Sequence, residues 1–116
     1  MTAQLQPGYA RDTDPATSHA AARYPHASAR ARLLLTFAEH EAHGLTVYEA
    51  ARILGTEKGT TDRRRAELLE RLQIIDSNQT RPTNTGASAI VFVVTAKGLA
   101  DARALTDHYD NPRSKP

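Results

Sequence analysis

The chain has 116 residues, no cysteine, 40% apolar and 5% aromatic residues, and a formal net charge of +2 with a pI near 9.2. A chain of this length holds one modest core rather than two, and its composition excludes disulfides, thiolate–zinc sites and thiol catalysis and suits a reducing compartment. The scarcity of aromatics and absence of Trp argue against base stacking on single strands as the main binding mode, and with so small a net charge any nucleic-acid case rests on how the charge is distributed.

Met1 to Tyr9 lacks the basic-then-apolar order of a signal peptide. No apolar run approaches the roughly 20 residues that span a bilayer. The expectation is a cytoplasmic protein of a bacterial or phage-infected cell that makes no membrane contact. Residues 1–13 are polar, contain Pro7-Gly8 and read as a flexible arm. Asp14-Pro15 suits a helix start, with Asp capping and Pro in the first turn, and Tyr24-Pro25 ends that helix after Arg23.

A second helix is expected from near Ser28 to Ala42, with Ala31, Leu34, Phe37 and Ala38 on one face and Leu33 and Leu35 widening it. His43-Gly44 closes it. Thr46 with Glu49 three residues on spells a capping box. Val47, Ala50, Ala51 and Leu54 then fall at i, i+3, i+4 and i+7, and Gly55 ends this third helix. Thr56 to Gly59 reads as a turn. The next helix runs from about Thr60 to Leu72, with Thr61, Leu68, Leu69 and Leu72 inward, Arg65 at the edge of that stripe, and Arg63 and Arg64 pointing away.

Ile74 to Asp76 reads as a short strand, residues 77–87 as a polar hairpin loop, and Ser88 to Val94 as the return strand. That strand is apolar on both faces (Ile90, Phe92 and Val94 against Ala89, Val91 and Val93), so its second face needs another element or a partner chain. Thr95 caps a last helix from Ala96 to about His108, and residues 109–116 read as a frayed tail. The whole is an α+β unit over residues 14–108. The order of elements matches a winged helix-turn-helix, with a three-helix core and a two-stranded β-hairpin wing, carrying extra N-terminal and C-terminal helices.

In such a unit the second helix of the motif presents polar and basic side chains to base edges in the major groove. Thr60, Arg63 and Arg64 occupy that position, Lys58 and Arg81 are placed to hold the DNA backbone, and Asn84 sits in the wing loop with Thr83. The bland reading of the same residues is a solvated helix. Arg63–Glu67 and Glu67–Arg71 are four apart and Asp62–Arg65 three apart, as on any charged surface helix. Arg65 suits a structural salt bridge to Asp76 or Glu49. His40 and His43 are three apart, one short of the zinc-protease spacing. No Ser, His and Asp arrangement and no Gly-rich phosphate loop stands out, so neither metal, cofactor, small-molecule ligand nor enzymatic activity is expected.

The residues resemble a family of small winged helix-turn-helix proteins of phages and mobile elements of actinobacteria, over about Asp12 to Gly98. The resemblance rests on Asp12-Thr13, Thr17 to Ala21, Gly44-Leu45-Thr46, Glu49-Ala50-Ala51, Arg64 to Leu68, Asp76-Ser77, Arg81-Pro82-Thr83, Gly86, Ala89-Ile90-Val91 and Thr95. It implies double-stranded DNA as partner and no particular target sequence. The chain departs from the pattern at Asp62, where a basic residue is common. It departs again at Asn78, where Gly is common, and at Ala87-Ser88, where a basic residue often follows Gly86. The leading expectation is a phage or prokaryotic transcriptional regulator bound to double-stranded DNA as a homodimer. A winged protein-interaction module and a DNA-bending recombination factor stand as alternatives.

Overall fold

In the computed structural model residues 22–110 are described. The arm expected over residues 1–13 and the helix expected from Asp14 lie outside the described residues, except that Ala22 and Arg23 are helical. The elements are α1 (Ala29–His40), a 3-10 turn (Glu41–His43), α2 (Val47–Leu54), α3 (Lys58–Glu70), β1 (Ile74–Pro82), β2 (Ser88–Val94) and α4 (Ala96–Asp110). Among the described residues no helix is long and apolar enough to cross a membrane.

Local chemistry sets the helix starts. The Ser28 hydroxyl accepts from Ala31 N at 3.1 Å, and the Thr46–Glu49 box forms in both directions, at 2.9 and 3.1 Å. Such caps stabilise by roughly 0.5–2 kcal/mol. The α1 stripe buries Leu33, Leu34, Leu35 and Phe37 against Leu45, Ala50, Leu68, Ile74, Phe92 and Ala102. Phe37 and Leu33 are fully inaccessible, and each such side chain contributes about 1.5–3 kcal/mol.

The hairpin differs from expectation. β1 runs through to Pro82, in antiparallel register Ile74↔Val94, Asp76↔Phe92, Gln79↔Val91 and Pro82↔Ser88, with a bulge between Asp76 and Gln79. The expected loop of residues 77–87 therefore contracts to residues 83–87. A ladder is made of backbone groups, and polar side chains suit strands that face water on both sides. Asn78 takes φ 66° in the bulge, and Asp76 Oδ1 accepts its N–H at 2.7 Å; Asn tolerates this left-handed region.

Gly44 marks where the chain returns to the free edge of β2. Leu45 and Phe92 pair through both backbone bonds, at 3.0 and 2.9 Å. A Cβ on Gly44 would lie 2.6 Å from Phe92 O and 2.7 Å from Val91 Cγ1, with φ at +71°. The segment after α1 thus runs along the free edge of β2 as an antiparallel bridge, with Gly44 against the Val91 and Val93 side chains, and Val91 is 2% exposed. At Val91 this cover comes from the same chain, the first of the two sources expected, while Ile90 stays 45% exposed.

The base of the hairpin is knotted to α4. Thr95 N donates to Gln73 O at 3.0 Å, Thr95 Oγ1 donates to Leu72 O at 2.7 Å, and Gly98 N donates to Thr95 Oγ1 at 2.9 Å. Leu72, expected in the inner stripe, lies past the end of α3 with φ 62° and is 64% exposed. The turn that redirects the chain into β1 carries it outward. The far end of α4 is also ordered further than expected. Tyr109 stacks on Tyr24 with centroids 5.3 Å apart, and Asp110 accepts from Tyr24 Oη at 2.7 Å and from Arg23 at 3.1 Å. Tyr109 and Asp110 therefore close the helix rather than begin a tail; residues 111–116 lie outside the described residues.

Candidate nucleic-acid interface

The joint between α2 and α3 is tight. Gly55 ends α2 with φ 67°, and Thr56 N donates to Ala51 O at 3.0 Å. Thr61, 2% exposed, bonds Glu57 O at 3.1 Å and the Thr56 hydroxyl at 2.6 Å. This buried hydroxyl fixes the start of α3 to the turn before it. Glu57 makes no side-chain cap, and the helix begins at Lys58, ahead of the expected Thr60.

Around α3 the side chains divide into four sectors. Thr61 and Leu68 point into the core. Opposite them Gly59, Arg63, Ala66 and Glu70 are exposed, and among the described residues Arg63 has no hydrogen bond or ion pair. On the flank facing the hairpin, Lys58, Asp62 and Arg65 border a cleft of about 290 Å³ shared with Tyr48, Ile90 and Phe92. On the flank facing α1, Thr60 and Arg64 pack beside Arg32, Leu33 and Leu54.

These placements revise the sequence expectations. Arg64 does not point away from the packed side. Its side chain is one third exposed, pairs with Glu67 at 3.2 Å and leans on α1, because its place one turn before Leu68 keeps it near the packed side. Arg65 is structural, as expected, with different partners. It donates to Asp62 on its own helix and lies over the Phe92 ring at 5.2 Å. The hydrogen bond from Arg65 holds the Asp62 carboxyl below its ordinary range, helped by the nearby charge of Lys58 and opposed by partial burial. Lys58 in turn lies 3.9 Å from Asp62 and over the Tyr48 ring at 5.3 Å.

The hairpin tip, residues 83–87, is closed by Thr83 N to Ala87 O at 2.7 Å and Gly86 N to Thr83 O at 3.0 Å. Asn84 is exposed there, at the lip of a cleft of about 340 Å³ between the tip and α2. Arg81 was expected to reach outward from this loop. It lies instead in β1 and turns back, donating to Glu49 Oε1 at 2.6 Å and to His43 O at 2.9 Å. The same Glu49 oxygen accepts from Thr46 N. Spacing along the sequence held no sign of this tie, whose ends are 32 residues apart. The Asp62–Arg65 pair, by contrast, was visible as an i, i+3 spacing. His40 and His43 lie with ring centroids 6.4 Å apart, and among the described residues no group of three or more potential metal ligands occurs.

No family model and no curated protein matches the sequence. Solved structures match the fold. A point mutant of S. aureus MepR superposes with a TM-score of 0.60 at 16% identity, over 81% of this chain and 66% of that one. The fold is a winged helix. MepR described as a transcription regulator of the Staphylococcus aureus multidrug efflux pump MepA gives 0.57 at 18%, over 73% and 58% of the two chains. A MepR–DNA complex gives 0.57 at 16%, over 78% and 70%. The chain thus spans 58 to 70% of the length of these proteins, and at such identities the likeness is one of fold.

Proposed function

We propose that the protein binds double-stranded DNA sequence-specifically and acts as a transcriptional regulator of phage or mobile-element type, without enzymatic activity. The observation that carries this reading is the outer sector of α3. A winged-helix recognition helix works by entering the major groove, and here that sector is exposed and presents an unpaired Arg63 between the small residues Gly59 and Ala66. The likeness to a protein solved in complex with DNA supports the same reading. In it Arg63 reads base edges, Lys58, Thr60 and Arg64 supply the flanks of the helix contact, and Asn84 meets the backbone from the wing. Arg81 serves by holding the wing in place.

Fluorescence anisotropy of the protein on a random-sequence duplex tests this. Binding at low salt that weakens steeply as salt rises is expected, since each neutralised phosphate releases counterions. No binding at low salt refutes it. One observation favours a second reading, a winged protein-interaction module. Lys58, Arg64, Arg65 and Arg81 each lie within 4 Å of a carboxylate, which lowers the positive potential of the face. The same titration separates the two. We also propose a homodimer, because two-fold symmetry matches palindromic DNA sites; a monomeric mass by light scattering at high concentration refutes it.

A further inference from the structure

We propose that Asp62 selects cytosine in the DNA site, accepting a hydrogen bond from its exocyclic amino group, with Lys58 set beside it toward the paired guanine. This deepens the DNA-binding reading above and rests on it.

A carboxylate on the groove-facing side of a DNA-binding helix is costly, because it repels the phosphates that dominate affinity. Asp62 nevertheless stands beside that side, on the hairpin flank of α3 and next in sequence to the outer-sector Arg63. Its side chain is 38% exposed, and it shares the hairpin-side cleft with Lys58, Arg65 and Ile90. Arg65 holds it through Oδ1 and is itself held over Phe92. Oδ2 is differently placed. Lys58 Nζ lies 3.9 Å from it, outside hydrogen-bond distance. The carboxylate is thus oriented through one oxygen and keeps an open acceptor on the other.

The major-groove edges determine what such an acceptor takes. Cytosine shows an amino donor with no acceptor of its own; adenine shows a donor beside the N7 acceptor, which repels a carboxylate; guanine and thymine show acceptors. Cytosine alone offers a donor with no acceptor on the same base. Its amino group lies about 3 Å from the guanine O6 it pairs with. An acceptor with an ammonium next to it therefore complements the whole edge of a C·G pair. Asp62 and Lys58 are four apart on one helix, so they reach the same stretch of groove together.

Selection from a randomised duplex pool tests the assignment, run in parallel on the wild type and on D62A, D62N and K58A, with thermal melting to establish that each variant is folded. The wild type is expected to enrich a C·G pair at one position of its site, over other pairs by roughly 5- to 100-fold. D62A is expected to lose that preference while keeping the rest of the site. D62N is expected to move it to adenine, which an asparagine side chain pairs through two bonds. K58A is expected to weaken preference at the same position. If D62A tightens binding to all sequences alike and leaves every base preference unchanged, Asp62 acts only through its charge and the inference is overturned while the DNA reading stands. If the wild type binds no duplex at low salt, both fall.

Discussion

Arg63→Ala separates a DNA contact from a structural one because the residue costs the fold so little. Its side chain is exposed and, among the described residues, carries no ion pair or hydrogen bond. Arginine and alanine are both good helix formers. Truncation should change stability by no more than about 0.5 kcal/mol, which moves the melting temperature by only a few degrees. A two-bond contact to guanine is worth about 1–3 kcal/mol, so the dissociation constant should rise by roughly 5- to 150-fold. The slope of affinity against salt distinguishes how Arg63 binds. It stays the same if Arg63 reads a base and falls by about 0.9 if it holds a phosphate. Arg64→Ala is the internal comparison, since Arg64 is already committed to Glu67 and α1, and should lose less binding and more stability. Anisotropy titrations on a selected duplex at several salt concentrations, with melting curves alongside, give both quantities. Binding unchanged by Arg63→Ala would refute the assignment of the outer sector.

Three further outcomes are expected. Gly59→Ala should stabilise the fold by about 0.4–1 kcal/mol, because a Cβ there meets nothing within 4 Å, yet weaken DNA binding by crowding the groove-facing side; equal affinity would show that DNA does not approach this turn. Gly98→Ala should destabilise by at least about 1–3 kcal/mol, since its Cβ would fall 2.1 Å from Gln73 O and force α4 off the hairpin base; a melting temperature within a few degrees of wild type would contradict that packing. Acidification should weaken the fold in a narrow window. Asp62 is held below its ordinary value of 3.8 by Arg65, and Asp101 by Lys97 and then Gln73. Because both folded values are depressed, their contribution is present above about pH 4 and lost as pH falls below it through those values. Melting curves between pH 7 and 2.5 should show the loss, with a smaller acid response in D62N and D101N.

The helices and their caps were legible because they are local. Ser28, Thr46 with Glu49, Gly55 and Thr95 each act on backbone within a few residues, and each does what its spacing implies. The length of β1 was not legible, because Gln79, Thr80 and Pro82 look like loop residues and their pairing is fixed by β2 across the ladder. The same limit hid which segment borders β2. Gly44 reads as a helix stop, and only its meeting with Val91 and Phe92 shows that it is also the point where two backbones touch. At the candidate site, periodicity separated Arg63 from the core. It misjudged Arg64, whose neighbours belong to α1, and Arg81, whose partners lie on the segment before and within α2.

Under the proposed function, the Arg81 tie has a consequence for the shape of DNA that would fit. One Glu49 oxygen serves both the cap of α2 and the guanidinium on β1, and His43 O takes the other arm. The gap between the exposed sector of α3 and the hairpin tip is therefore set by the folded chain, like the opening of a locked caliper. On the proposed DNA-binding reading, a duplex whose groove already has the matching width would be gripped without distortion, whereas a wider or stiffer one would have to bend to fit and bear the elastic cost itself. Base pairs that no side chain touches would then still affect affinity, through the ease with which they let the groove narrow.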